Sequence, residues 1–171
     1  SGNSKFNEAY SKKLEQKVIY TGPIKALCNQ KYHDFKTKFP HISFGILTGD
    51  IKHNPDADVL IMTTEILRNT LFKKKMQTSE KVPLMFEMDM DNDLGAVVFD
   101  EVHYISDPER GAVWEQSILL LPPQVQLILL SATIDKAEIF AKWIEKEKKT
   151  QTDELGLRHK TVNIASTDHR V

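Results

Sequence analysis

Short apolar runs alternate along this chain with longer stretches in which apolar residues recur every three or four positions. Lys17-Val18-Ile19-Tyr20-Thr21 reads as a strand, closed by Gly22-Pro23. From Lys25 to about Lys38 the spacing of Leu27, Tyr32 and Phe35 is helical, and Pro40 follows. Strands are predicted from Ser43 to Leu47 and from Asp58 to Met62, then a helix whose inner face carries Ile66, Leu67, Thr70 and Leu71. Ala96 to Phe99 is a further strand. Val113, Trp114, Ser117, Ile118 and Leu121 mark one side of the next helix, which Pro122-Pro123 ends. Gln126 to Leu130 is again a strand. Ala137, Phe140, Ala141 and Ile144 then stand at i, i+3, i+4 and i+7 of a helix, and Thr161 to Ala165 is the last predicted strand.

This alternation predicts an α/β fold, a mostly parallel sheet with helices on both faces. Two charged stretches, Lys73 to Asp93 and Glu145 to Lys160, read as solvated loops. A length of 171 residues suits one domain. With 23 basic and 24 acidic residues the formal net charge is −1, so nucleic acid would have to be held by individually placed groups and not by a basic field. The single cysteine, Cys28, excludes a disulfide framework and fits a reducing, intracellular setting, nuclear or cytoplasmic. No apolar run approaches the ~18 residues of a membrane span, so a soluble protein is expected.

Candidate chemistry collects where predicted strands end. Val97-Val98-Phe99 runs straight into Asp100-Glu101-Val102-His103. Two adjacent carboxylates at the carboxyl end of a buried strand are what Mg²⁺ on a nucleoside triphosphate requires: Asp100 to carry the metal, Glu101 to polarise the attacking water. Thr21-Gly22-Pro23-Ile24-Lys25 lies at a strand-to-helix junction, where free backbone N–H groups and the Lys25 charge could grip a phosphate. Thr48-Gly49-Asp50 reads as a small hydrogen-bonding loop or a plain turn, and Thr63-Thr64-Glu65 as a helix start that N-capping alone would explain. Ser131-Ala132-Thr133 follows a strand and offers two hydroxyls to the carboxylate pair or to His103.

Taken together, these segments resemble the first RecA-type motor domain of a superfamily 2 DExH-box helicase. Asp100-Glu101-Val102-His103 matches motif II of that family and Ser131-Ala132-Thr133 its motif III. Tyr20-Thr21-Gly22-Pro23-Ile24-Lys25-Ala26-Leu27 with Asn29-Gln30-Lys31-Tyr32 is similar to motif Ia, and Thr48-Gly49-Asp50 and Thr63-Thr64-Glu65-Ile66-Leu67-Arg68 to the nucleic-acid-contacting motifs after it. Tyr104, Asp107, Arg110-Gly111 and Trp114-Glu115 resemble the Ski-type, exosome-associated branch of RNA helicases. The resemblance runs from Lys17 to nearly the end of the chain.

The resemblance implies a RecA-like sheet, ATP as substrate and Mg²⁺ as cofactor, with Asp100 binding Mg²⁺ and Glu101 activating water at the γ-phosphate. It implies that His103, Ser131 and Thr133 couple nucleotide state to the nucleic-acid surface. It implies further that Pro23, Lys25, Gly49, Thr63 and Thr64 contact the backbone of one single strand, RNA in preference to DNA, and that the partners are a second RecA domain and an RNA-decay complex. Residues 1–171 then form a partial helicase domain without its phosphate loop and without the second domain. No Gly-x-Gly-Lys-Thr/Ser loop is present. Ser1-Gly2-Asn3-Ser4 stands about where such a loop would end, either as an unrelated scar or as its worn tail with Asn3 in the lysine position. Arginines from a second domain are worth on the order of 10³ to 10⁵ in rate in related enzymes, so this chain alone is expected to be nearly inert.

Two alternatives remain open from the residues: a non-catalytic nucleic-acid-binding or scaffolding module, and a metal-dependent hydrolase with Asp100, Glu101 and His103 as ligands. The run Glu87-Met88-Asp89-Met90-Asp91 lengthens the connection after Phe72 beyond the family's usual one and is expected to be a solvated insertion.

Overall fold

The structure, a computed structural model, describes residues 16–76, 86–102, 108–131 and 141–149. The chain divides into two compact units, Ser1–Ser131 and Ala132–Val171. In the first, the order is β1 (Lys17–Gly22), α1 (Lys25–Lys38), β2 (Phe44–Leu47), β3 (Lys52–His53), β4 (Val59–Thr63), α2 (Thr64–Lys75), β5 (Leu94–Phe99), α3 (Pro108–Leu120) and β6 (Gln126–Leu129). Among the described residues these strands form one six-stranded sheet, ordered β3-β2-β4-β1-β5-β6. All neighbours run parallel except β2 and β3. The second unit is described only by a helical segment over 141–149, in which Ile144 and Lys148, one turn apart, are buried.

Period-two alternation sorts the strand residues onto two faces. Ile46, Ile61, Tyr20 and Val98 line up across β2, β4, β1 and β5 on one face. There Cys28, Tyr32, Phe35 and Phe39 of α1 and its C-terminal turn cover them, forming a core cluster with Phe44. The opposite face carries Val97, Ile19 and Leu60, then Phe99, Thr21, Met62 and Leu47 in register, nearly all sealed from solvent. On that side Phe99 meets Trp114 of α3 edge to face, with ring centroids 6.4 Å apart. Val113, Trp114, Ser117, Ile118 and Leu121 are all buried, and α3 packs on α2. Helices therefore cover both faces, as the alternation predicts.

Four differences from the sequence reading have physical causes. Cys28, not Leu27, turns into the core from α1, because 28, 32, 35 and 39 form the continuous helical stripe. The strand β3 was not predicted: two exposed residues carry no periodic signal, and only pairing of Ile46 with His53 and Leu47 with Lys52 defines it. The stretch Lys73 to Asp93 is not a solvated loop in its described parts. Helix α2 extends through Lys75, and Phe86, Met88 and Met90 are buried while Glu87, Asp89 and Asp91 between them are exposed. Lys74 Nζ donates to the Met88 carbonyl, and Gln124 Nε2 donates to the Asp91 carbonyl at 3.1 Å, so this segment is strapped to the domain. Likewise 145–149, expected as loop, continues the helix; 150–160, the strand expected from Thr161 to Ala165, and Ala137 and Phe140 lie outside the described residues.

The return through β3 brings two chains unusually close. A Cβ on Gly45 would stand 2.1 Å from the Asn54 carbonyl oxygen and 2.8 Å from Leu60 Cδ2, and Asn54 itself turns the chain at φ 49° while its Nδ2 donates to the Phe44 carbonyl. At Gly49 a Cβ would meet nothing within 4 Å. Gly45→Ala should therefore destabilise the domain by about 1–3 kcal/mol, the range for overpacking. Gly49→Ala should stay within about 0.5 kcal/mol of the parent, as ordinary surface changes do. Denaturant unfolding of the two variants checks this, and equal effects would contradict it.

Candidate nucleotide and nucleic-acid site

After β1 the chain crosses through α1 to β2 on one side of the sheet; after β5 it crosses through α3 to β6 on the other. The ends of β1 and β5 therefore form the topological switch point, where an open α/β sheet leaves a crevice beyond its strands. Asp100 and Glu101 stand at that point, both half-buried.

The turn they occupy is held on two sides. Asp100 N–H donates to the Thr21 carbonyl at 2.9 Å, which prolongs the β1–β5 ladder by one step. Leu130 N–H donates to the Phe99 carbonyl at 2.9 Å, and Val102 N–H donates to the Leu130 carbonyl at 3.0 Å. Ser131 follows directly and is exposed beside the turn. The Asp100 carboxylate is engaged at both oxygens: Oδ1 accepts the Glu101 N–H at 2.8 Å, and Oδ2 accepts the Tyr20 hydroxyl. Burial first, then the hydrogen bond to Asp100, hold the Tyr20 phenol far above its ordinary range, so it keeps its proton and acts as donor. Glu101 adopts φ 55°, the left-handed region that costs a non-glycine residue about 1–2 kcal/mol. Such strain sits where a side chain must be aimed.

Beside this turn, the ends of β1, β4 and β2 make a second cluster. Gly22 pairs with Thr63, and Leu47 with Met62, so the segments holding Pro23, Thr63 and Gly49 emerge side by side. Thr64 Oγ1 donates to the Gly22 carbonyl at 3.3 Å, tying the start of α2 to the start of α1. Thr63 occupies the N-cap position of α2 and Ile24 that of α1, and neither makes a side-chain cap hydrogen bond. Capping thus does not account for the Thr63-Thr64 pair, and both helix starts present backbone N–H groups to this edge. Thr48 is buried in a tight turn, its N–H donating to the Ile51 carbonyl at 2.9 Å, which leaves Gly49 and Asp50 exposed. Lys25 Nζ pairs with Asp50 Oδ2. The hydrogen bond from Lys25 is the main cause holding the Asp50 carboxyl below its ordinary range.

Of the expected site residues, Asp100, Glu101 and Ser131 meet at one part of the edge and Pro23, Lys25, Gly49, Thr63 and Thr64 at the other. His103 and Thr133 lie outside the described residues. Tyr20 and Asp50 stand inside two of the motif-like segments, yet the resemblance gives neither of them a role. The signal for Tyr20 is a polar-tipped aromatic inside an apolar strand, which when buried needs a partner for its hydroxyl. Nothing in the spacing of Asp50 shows that it meets Lys25. The lone cysteine takes no part: burial pushes the Cys28 thiol up to about 11, and it donates to the Met62 carbonyl at 3.3 Å.

Hard oxygen donors on a half-buried, hydrogen-bonded carboxylate suit Mg²⁺. Among the described residues no group of three His, Cys, Asp or Glu side chains is arranged to hold a metal. That donor set fits a cation shared between one carboxylate and substrate phosphates, the usual mode for Mg²⁺ beside nucleotides. Also among the described residues, no helix is long and apolar enough to cross a membrane.

Known proteins resemble this chain in sequence and in fold. The family model for DEAD/DEAH box helicases matches residues 4–140. Antiviral helicase SKI2 of Saccharomyces cerevisiae is 48% identical over 132 residues, covering 77% of this chain and 9% of that protein. Superkiller complex protein 2 of Homo sapiens is 47% identical over 84% of this chain and 10% of its own length. ATP-dependent RNA helicase mtr4 of Schizosaccharomyces pombe is 45% identical over 81% of this chain and 11% of its own. The chain thus spans about a tenth of the length of these relatives. Among solved structures, Mycobacterium smegmatis helicase Lhr bound to ssDNA and AMP-PNP aligns with a TM-score of 0.56 and 25% identity, over 77% of this chain and 19% of that one. Saccharomyces cerevisiae Dbp5 bound to RNA and ADP BeF3 shares the fold at a TM-score of 0.54 and 18% identity, over 88% of this chain and 34% of that one.

The left-handed backbone at Glu101 has a measurable consequence. Asparagine accepts that region more readily than glutamate. Glu101→Asn should leave the unfolding free energy unchanged or raise it by up to about 1 kcal/mol, although it removes a carboxylate from the site. A loss of stability in denaturant titration would mean that contacts of the Glu101 side chain, not the site's function, hold the strained turn.

Proposed function

Because this chain belongs to the DEAD/DEAH box helicase family, we propose that it is the first RecA-type motor domain of a longer Ski2-like helicase that couples ATP hydrolysis to translocation along single-stranded RNA and to unwinding. The observation that carries this reading is the juxtaposition at one sheet edge of an Asp-Glu turn, at the switch point, with two uncapped helix starts joined through Thr64 and Gly22.

In this reading Asp100 would hold Mg²⁺, and the ion would neutralise charge on the nucleotide phosphates. Glu101, aimed by its strained backbone, orients the attacking water and accepts its proton. Pro23, Lys25, Gly49, Thr63 and Thr64 hold the phosphates and sugars of one strand, contacts that do not depend on base sequence. Ser131, with His103 and Thr133, passes the nucleotide state to that surface, since the β6 end is bonded to the same turn as Glu101. A second RecA domain supplies the arginines that complete the γ-phosphate site, and an RNA-decay assembly is the partner inferred for the whole protein.

In the full-length protein, Glu101→Gln should cut ATP turnover by about 10²–10⁴-fold, the usual worth of a general base, with ATP binding retained. Turnover surviving the substitution would refute the assignment. The 171-residue chain by itself should show no appreciable hydrolysis with or without RNA. RNA-stimulated turnover by it, abolished in Glu101→Gln, would overturn the view that it is half a motor.

Lys25 also makes a prediction for the nucleic-acid surface. A phosphate that binds Lys25 must displace Asp50, so Asp50→Asn should tighten single-stranded RNA binding. Its dependence of log K on log salt should match the parent's, because Lys25 meets one phosphate in both. Lys25→Ala should weaken binding and flatten the slope by about 0.7, one phosphate's worth on a single strand. Identical slopes in all three proteins would remove Lys25 from the contact surface.

A further inference from the structure

The Asp100 carboxylate takes its orientation from β1, not from its own strand alone. Asp100 follows Phe99, the in-register partner of Thr21, so it lies beside Gly22, which bears no side chain. Tyr20 stands two residues before Gly22 on the same face, and its phenol fills the space beside Asp100. The ring cannot easily move away. It is 7% exposed, packs edge to face on Phe35 with centroids 5.2 Å apart, and sits between Ile61 and Val98 in the sheet. The hydroxyl is therefore a fixed donor to Oδ2, while the Glu101 N–H is a fixed donor to Oδ1. Each carboxylate oxygen has two lone pairs, so both donors leave one acceptor site per oxygen for a cation.

We propose that Tyr20 is a positioning residue for Asp100, holding its carboxylate ready to receive the divalent cation of the nucleotide. The inference rests on the reading of Asp100 given above and gives a role to Tyr20, which the resemblance leaves without one. Hydrogen bonds to ligating carboxylates typically govern metal affinity by about 10–100-fold, so removing one hydroxyl should be visible in metal binding itself. Tyr20→Phe removes the hydroxyl and keeps the ring against Phe35.

The test uses the full-length protein, with Mn²⁺ as a paramagnetic stand-in for Mg²⁺ and a non-hydrolysable ATP analogue. Electron paramagnetic resonance gives the Mn²⁺ dissociation constant, a separate titration gives analogue affinity without metal, and thermal unfolding reports stability. Tyr20→Phe should weaken Mn²⁺ binding by about tenfold or more, with metal-free analogue affinity and unfolding midpoint unchanged. In steady state it should raise the Mg²⁺ concentration for half-maximal turnover, with kcat recovered at saturating Mg²⁺. Asp100→Asn is the companion variant. If it weakens Mn²⁺ binding and Tyr20→Phe does not, the Tyr20 inference falls and the helicase reading stands. If neither changes Mn²⁺ binding, the metal assignment of Asp100 falls with it. A loss of metal-free analogue affinity in Tyr20→Phe equal to the loss for Mn²⁺ would reduce Tyr20 to a structural support and overturn the proposal.

Discussion

Every candidate functional group here depends on β1 lying in register between two parallel neighbours. Its residues pair with β4 from Val18 to Gly22 and with β5 from Val18 to Thr21. Parallel pairing at fixed register sets which side chain reaches which strand end, and a slip of one residue would turn every side chain to the opposite face. Tyr20 would then leave Asp100, and Thr21, whose Oγ1 donates to the Val98 carbonyl at 2.9 Å, would leave its sealed position on the α2–α3 face. Burial on both faces is what prevents the slip. Ile19, Leu60, Ile61 and Met62 have no exposed surface, so any other register would bring polar groups into an apolar layer.

Much of this was legible before any coordinates, because buried parallel strands and amphipathic helices leave strong periodic marks. The α3 face of Val113, Trp114, Ser117, Ile118 and Leu121 and the α2 face of Leu67, Thr70 and Leu71 follow directly from spacing. The strand end that carries Asp100 and Glu101 was legible too, because an apolar run stops at an Asp-Glu pair, whereas the switch point follows only from the strand order. What escaped has a common cause: information carried between segments distant in the chain. The two-residue β3 exists only through its partner β2, and the Lys25–Asp50 pair only through the fold. The strap from Phe86 to Met90 was legible in principle, since Phe-Glu-Met-Asp-Met alternates strictly. Its acidic residues read as a charge run, yet the period-two spacing of Phe86, Met88 and Met90, all buried, is the stronger signal.

The strained turn also shows why a site of this type is built at the end of a central strand. Left-handed backbone at Glu101 persists only where neighbouring bonds over-determine it. Here Asp100 is bonded to β1 and Val102 to the end of β6, one on each side. The same bonds that hold the strain give Ser131 and Glu101 a common anchor. In the proposed function, a shift of the turn on change of nucleotide would move the β6 end with it, a mechanical link that requires no side-chain contact between them.

Charge placement completes the picture. A chain of net charge −1 cannot draw a polyanion by its overall field. In the proposed reading the edge facing the strand would instead offer dipoles that leave the net charge unaltered: the N–H groups at the starts of α1 and α2, whose N-cap residues make no side-chain cap hydrogen bond. Its cation, Lys25, is already balanced by Asp50. Such a pair, exposed to solvent, is worth little by itself, so a phosphate can take the place of the carboxylate at small cost. The exchange leaves Lys25 charged and paired in both states, and it keeps the edge weakly attractive to anions that lack a backbone able to engage both helix starts at once. For the motor proposed above, which would release and regain its strand in every cycle, contacts of this kind would serve better than a fixed basic patch, whose grip would persist through the step.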